Sequence, residues 1–122
     1  MKFVLMMQIN NAVLDALTEA EREVVMNGHQ EFIRTIQESG EMIGTQALGD
    51  VSQSVTVAAR GGETVVTDGP FVEAKEYLGG YYLVDVETKE RAVELARLIP
   101  DTRIDGLAVE VRPVMFSAGS EI

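Results

Sequence analysis

The sequence predicts an α+β domain, and three features carry that expectation. Two segments, MKFVLMMQI at the start and YYLVDV near residue 84, are apolar at almost every position, as in strands covered on both faces. Each is followed by an amphipathic helical stretch. Between them, two β-branched runs flank Gly61-Gly62, a strong signal for a two-residue hairpin turn.

In the first strand Phe3, Leu5 and Met7 alternate with Val4, Met6 and Gln8, so neither face is polar throughout. The string TEAE then forms a capping box, in which the Thr18 hydroxyl accepts from the Glu21 amide and the Glu21 carboxylate reaches back. A long helix is expected from Glu19 to Ser39, with Gly40 as its left-handed stop. MIGTQALG and SVTVAARGGETVVT read as outer strands. The next segment, VTDGPFVEAKEYLGGYYLVDV, stops at Asp68, turns through Gly69-Pro70-Phe71, and resumes as a strand after Gly79-Gly80. Thr88 begins a second helix whose Ala92, Leu95, Ala96 and Ile99 share one stripe, and Pro100 ends it. LAVEVRPVMF supplies the last strand, and residues 117–122 read as a loose polar tail.

This order is the split βαβ, or ferredoxin-like, arrangement with an inserted β-hairpin, and it makes the two doubly apolar strands central. Two helices cover only one face of such a sheet. The other face is expected to pack against the same face of a second copy, giving a homodimer.

The length of 122 residues suits one domain, read here as residues 1–116. Asp and Glu number 20 against 10 Lys and Arg, a formal charge of −10 that repels a phosphate backbone and anionic lipid, so neither nucleic acid nor membrane is expected as a partner. The chain has no cysteine, which removes disulfides, thiolate nucleophiles and sulfur ligands. The opening apolar run is short and lacks a small-residue cleavage site, and no stretch reaches the roughly 18 residues of a membrane-spanning helix. A cytoplasmic protein is the expectation.

Chemistry has few candidates. His29 is the sole histidine and falls inside the apolar stripe formed by Val25, Phe32, Ile33 and Ile36. It is either a core residue held by a backbone group or an imidazole facing a cavity, and Gly28 beside it removes bulk. Asp68 suits the first position of a turn, yet Gly69 and Pro70 restrict its direction more than is usual for a loop carboxylate. Gly80 enters a central strand, where glycine marks close approach of a backbone or ligand. With Phe71, Tyr82 and Arg112 it completes the candidate ligand contacts. Arg112 either binds an anionic group or pairs with Glu110. Tyr81 and Tyr82 point opposite ways, one into the core and the other toward a dimer cavity. One histidine without cysteine does not make a usual zinc site, and neither a phosphate loop, a dinucleotide fingerprint nor a nucleophile elbow is present. Neither metal nor organic cofactor is expected. The run ETKERAVELAR reads as a solvated helix face.

The string TDGPFVEAKEYLGGYYLVDV, with RLIP and the terminal VEVRPV, resembles the DGPF branch of the YCII-related family over nearly the whole chain. Val72 and Ala74 replace the commoner Ala and Thr of that family string, and Tyr77 stands where Gln is usual. The resemblance implies subunits that pair as a dimeric α+β barrel and an active site built from a histidine and an aspartate, which map onto His29 and Asp68. It also implies, for some members, an association with sigma factors. The function expected is a cofactor-independent enzyme that moves protons on a small molecule, by elimination or isomerisation. The alternative is a non-catalytic dimeric module that binds a small ligand or serves a transcription regulator.

Overall fold

A computed structural model describes residues 1–119; residues 120–122 of the expected tail lie outside that range. The order is β1 (Lys2–Asn10), α1 (Asn11–Ala16), α2 (Glu19–Glu38), β2 (Met42–Ala47), β3 (Val55–Arg60), β4 (Glu63–Asp68), β5 (Glu76–Asp85), α3 (Lys89–Leu98) and β6 (Ala108–Pro113), with 3-10 turns at Val51–Gln53 and Pro100–Arg103. Four strands form an antiparallel sheet in the order β2-β5-β1-β6, and β3 and β4 form a ribbon of their own. The two doubly apolar segments are its central strands, β1 and β5.

Local signals explain most boundaries. The capping box forms as expected: the Glu21 amide donates to the Thr18 hydroxyl at 3.1 Å and the Thr18 amide donates to the Glu21 carboxylate at 2.8 Å. Gly40, at φ 77°, takes the left-handed conformation that closes α2. Ile99 is extended ahead of Pro100, which ends α3. Helix α1 has no counterpart in the sequence pattern. Its six residues are too few for a periodic stripe, and it is started by the Asn10 side chain, which accepts from the amides of Ala12 and Val13.

The core lies between one face of the sheet and the two long helices. Phe3, Leu5, Tyr82 and Val84 from the sheet meet Phe32 and Ile36 of α2, and Ala92, Leu95, Ala96 and Ile99 complete the layer. Fully burying the larger aliphatic and phenyl side chains among them stabilises by about 1.5–3 kcal/mol each. Among the described residues no helix packs on the opposite face of the sheet. There Val4 lies beside Leu83 and Arg112, and Met6 beside Tyr81 and Glu110, with Val4, Met6, Tyr81 and Leu83 all half-buried.

One irregularity shapes the space under α2. Met7 pairs with Gly80 but Gln8 pairs with Leu78, so Gly79 is an extra residue, a β-bulge in the central strand. At Gly80 a Cβ would stand 2.7 Å from the carbonyl oxygen of Gln46, so the backbone of β2 approaches there as closely as the sequence suggests. Among the described residues no helix is long and apolar enough to cross a membrane.

Candidate functional site

His29 sits midway along α2, on the side facing the sheet, and both of its ring nitrogens are engaged. Nδ1 lies 2.7 Å from the hydroxyl of Tyr82 on β5, and Nε2 lies 2.8 Å from Oδ1 of Asp101 in the turn after α3. Three elements far apart in sequence thus meet at one imidazole. A carboxylate only accepts, so Nε2 carries the proton, and Nδ1 of the neutral ring is left as the acceptor of the Tyr82 hydroxyl.

Each member is held by packing. Tyr82 is 2% exposed; its ring receives Phe32 edge-on at 4.7 Å and stacks with His29 at 5.9 Å. Burial, with the negative charge of Asp101 adding to it, pushes the Tyr82 phenol up to about 12, so it remains protonated at neutral pH. Asp101 is the buried charged residue of the described core, at 5% exposure. Its turn is fixed by the Thr102 hydroxyl, which donates to the carbonyl of Ile99 at 2.8 Å.

Gly28 has a role different from the one its sequence position suggests. A Cβ there would stand 2.9 Å from Cγ of Pro100, so the missing side chain is replaced by the proline ring rather than by open space. That contact lets the 3-10 turn press against α2 and carries the next residue, Asp101, to the next residue of the helix, His29. Among the described residues every buried side-chain nitrogen and oxygen has a hydrogen-bond partner, this cluster included.

A cavity of about 440 Å³ opens beside the cluster, between α2 and the sheet. Its walls include Met7, Ile9, Val25, Ile33 and Leu107, while His29, Tyr82, Asp101 and Thr45 bring polar atoms to it. Gly79 and Gly80 line it as well, where a Cβ would run into the Ile9 side chain and the Gln46 carbonyl oxygen, so glycine lets these groups close the cavity wall. A larger hollow of about 840 Å³ lies beside α1, but it lacks an imidazole. The smaller cavity, which has the acid–base group, is the candidate site.

Of the residues proposed from sequence, His29, Gly80 and Tyr82 come together here. The expected pairing of His29 with Asp68 is not made within the chain. Asp68 ends β4, opposite Val55, and is exposed to solvent. The physical reason is topological: among the described residues β4 pairs with β3 alone, and the ribbon packs mainly against itself. The backbone after Asp68 is indeed pinned, since the Gly69 amide donates to the Ser54 carbonyl at 2.7 Å and the Thr56 hydroxyl donates to the Gly69 carbonyl at 2.6 Å. Pinning the turn closes the ribbon without bringing its carboxylate to the imidazole. Phe71 is 79% exposed on that turn, outside the cavity. Arg112 lies on the open face of the sheet and pairs with Glu110, one of the two roles its alternation allowed.

Asp101 was not among the sequence candidates. Its one local sign is a carboxylate placed directly after the apolar run Leu-Ile-Pro, and that sign has no direction. Its partner is 72 positions away.

Comparison with known proteins agrees with the extent of the fold. The model of the YCII-related domain matches residues 1–116. A relative from Rhizobium meliloti (strain 1021), described as "Uncharacterized protein R00369", is 31% identical over 113 residues, which span 93% of this chain and 91% of that protein. With its sequence matched from first strand to last, the chain belongs to the YCII-related family.

Proposed function

We propose that the chain is an acid–base enzyme acting on a small molecule without an organic cofactor, with His29 as its proton carrier. The observation that supports this reading most is the Asp101–His29–Tyr82 relay beside a cavity, with one imidazole nitrogen fixed by a carboxylate and the other joined to a phenol. In one direction a substrate proton passes to the Tyr82 oxygen while the Tyr82 hydroxyl proton moves to Nδ1 of His29. The resulting imidazolium is stabilised by Asp101. In the other direction the imidazolium returns its proton to Tyr82, and the hydroxyl proton goes to a different atom of the substrate. Removal at one atom and return at another is the chemistry of an isomerisation, and of an elimination where a leaving group takes the proton. A phenol whose ionisation lies near pH 12 suits a relay that never has to persist as phenolate.

The half-buried open face of the sheet supports pairing with a second copy as a dimeric barrel, as the family resemblance implies. Sedimentation at micromolar concentration is expected to give twice the 13.3 kDa chain mass, and a single monomer species would remove that part of the reading. A binding module without catalysis is favoured by a different observation, namely that both ring nitrogens of His29 and every fully buried polar atom of the relay already have partners inside the protein.

Exchange of α-protons in D₂O separates the two. Neutral ketones such as acetophenone and cyclohexanone are incubated with the wild-type protein and with His29→Gln, and deuterium incorporation is followed by NMR. The catalytic reading expects incorporation that falls on the order of 10²-fold or more in the variant, the usual contribution of a positioned acid–base group. No incorporation with the wild type, or equal incorporation with both proteins, would overturn it.

A further inference from the structure

The cavity beside His29 has a composition that selects by charge. Its walls are largely apolar, with Met7, Ile9, Val25 and Ile33 among them; Gln30, Thr45 and Gln46 add uncharged polar groups, and no Lys or Arg is found among its described lining residues. The Asp101–His29 pair has a formal charge of −1 with the ring neutral and zero with the ring protonated, and the whole chain carries −10. A carboxylate or phosphate entering here would give up its water without meeting an unpaired cation, which is unfavourable. Arg112, the one cation considered for an anionic ligand, is on the other face of the sheet and already bonded to Glu110. A ligand ammonium would be drawn by the field of the protein but would also have to desolvate against methionine and isoleucine side chains.

We propose that this site takes a neutral, largely apolar small molecule with a hydrogen-bonding oxygen, and excludes carboxylates and phosphates. The proposal deepens the acid–base reading and rests on it for the location of the site. The oxygen lies at Tyr82 and His29, and the hydrocarbon part lies against the apolar walls. A volume of about 440 Å³ is at the small end of ligand cavities.

Three probes with one ring and different charges test it: acetophenone, benzoate and benzylamine. The readout is the ring-proton resonances of His29, which are unambiguous because the chain has no other histidine. Acetophenone is expected to give saturable shifts, with benzoate and benzylamine at least tenfold weaker. Binding of benzoate or benzylamine as tight as that of acetophenone, or no saturable shift with acetophenone, would overturn the proposal. Met26→Arg places a cation in the cavity lining at a position 63% exposed, where the fold tolerates it. That variant is expected to strengthen benzoate binding severalfold; unchanged benzoate affinity would refute the missing cation as the source of selectivity. The outcomes also separate this proposal from the catalytic one. Neutral binding without proton exchange removes catalysis and leaves the ligand class, whereas anion binding with proton exchange does the reverse.

Discussion

Where α2 crosses the sheet, Gly28 meets Pro100, Asp101 and Tyr82 bracket His29, and Phe32 closes the layer behind them. In the β3–β4 ribbon Val55, Val57 and Val66 stand exposed and Asp68 faces solvent, and Phe71 is exposed on the turn that follows. The end of the ribbon and the turn after it hold the DGPF string, while the crossing holds the geometry that chemistry requires. The difference is that a motif can fix a backbone turn, whereas a site needs several elements to converge.

The largest effect expected from this contrast concerns its two carboxylates. Asp101→Asn keeps size and a hydrogen-bonding oxygen but removes the charge that stabilises an imidazolium, so proton exchange should fall on the order of 10²-fold or more. The ring-proton resonances of His29 should shift in the same variant, because the group bonded to its Nε2 is replaced. Asp68→Asn should leave both unchanged and alter stability within about 0.5 kcal/mol, as surface substitutions do. His29 resonances that respond to Asp68→Asn would break the comparison and bring the DGPF turn to the imidazole, by way of a second copy.

Next in size are the glycines. Gly28→Val drives a side chain into Pro100 and should cost about 1–3 kcal/mol as an overpacked contact. Gly61→Ala meets nothing within 4 Å but strains a residue at φ 57°, costing roughly 1–2 kcal/mol. The unfolding free energies overlap, so His29 is the decisive observable. Its ring-proton resonances and acetophenone binding should change with Gly28→Val and stay as in the wild type with Gly61→Ala.

A smaller effect lies in alkali. Tyr82 ionises near pH 12 in the folded chain against an ordinary 10.0 when unfolded. Above pH 10 the unfolded state therefore binds fewer protons than the folded one. Stability that is fully present below that pH is lost as pH rises toward 12. Denaturant midpoints measured across this window should fall for the wild type, and the Tyr82 part of the decline should be missing in Tyr82→Phe. Equal slopes for the two proteins would mean that the phenol ionises as freely in the fold as outside it.

The smallest change is expected at the tip of the contrast. Phe71→Ser, at a side chain 79% exposed, should shift stability within about 0.5 kcal/mol and leave acetophenone binding alone. A loss of binding beyond a factor of two would place the turn against the cavity of a partner subunit and sharpen the comparison into one between copies.

Much of the fold is legible in the amino acids because its signals are short-ranged. The Thr18–Glu21 box, Gly40 at the end of α2, the Gly61-Gly62 turn and the stripe through Ala92, Leu95, Ala96 and Ile99 each depend on residues a few positions apart. The central rank of β1 and β5 follows from their double apolar faces. Helix α1 escaped because six residues and one Asn cap leave no period to read. The site was half legible: His29 could be placed on an apolar stripe and Gly80 at a close approach, since periodicity and strand context say where a side chain points. Which carboxylate reaches the imidazole was decided only by tertiary packing. That choice rests on a missing side chain at Gly28, a proline ring in its place, and a turn 72 positions beyond the histidine delivering Asp101 to Nε2. Side-chain patterns along a segment fix its faces, but the meeting of distant segments is set by the shapes that fit between them.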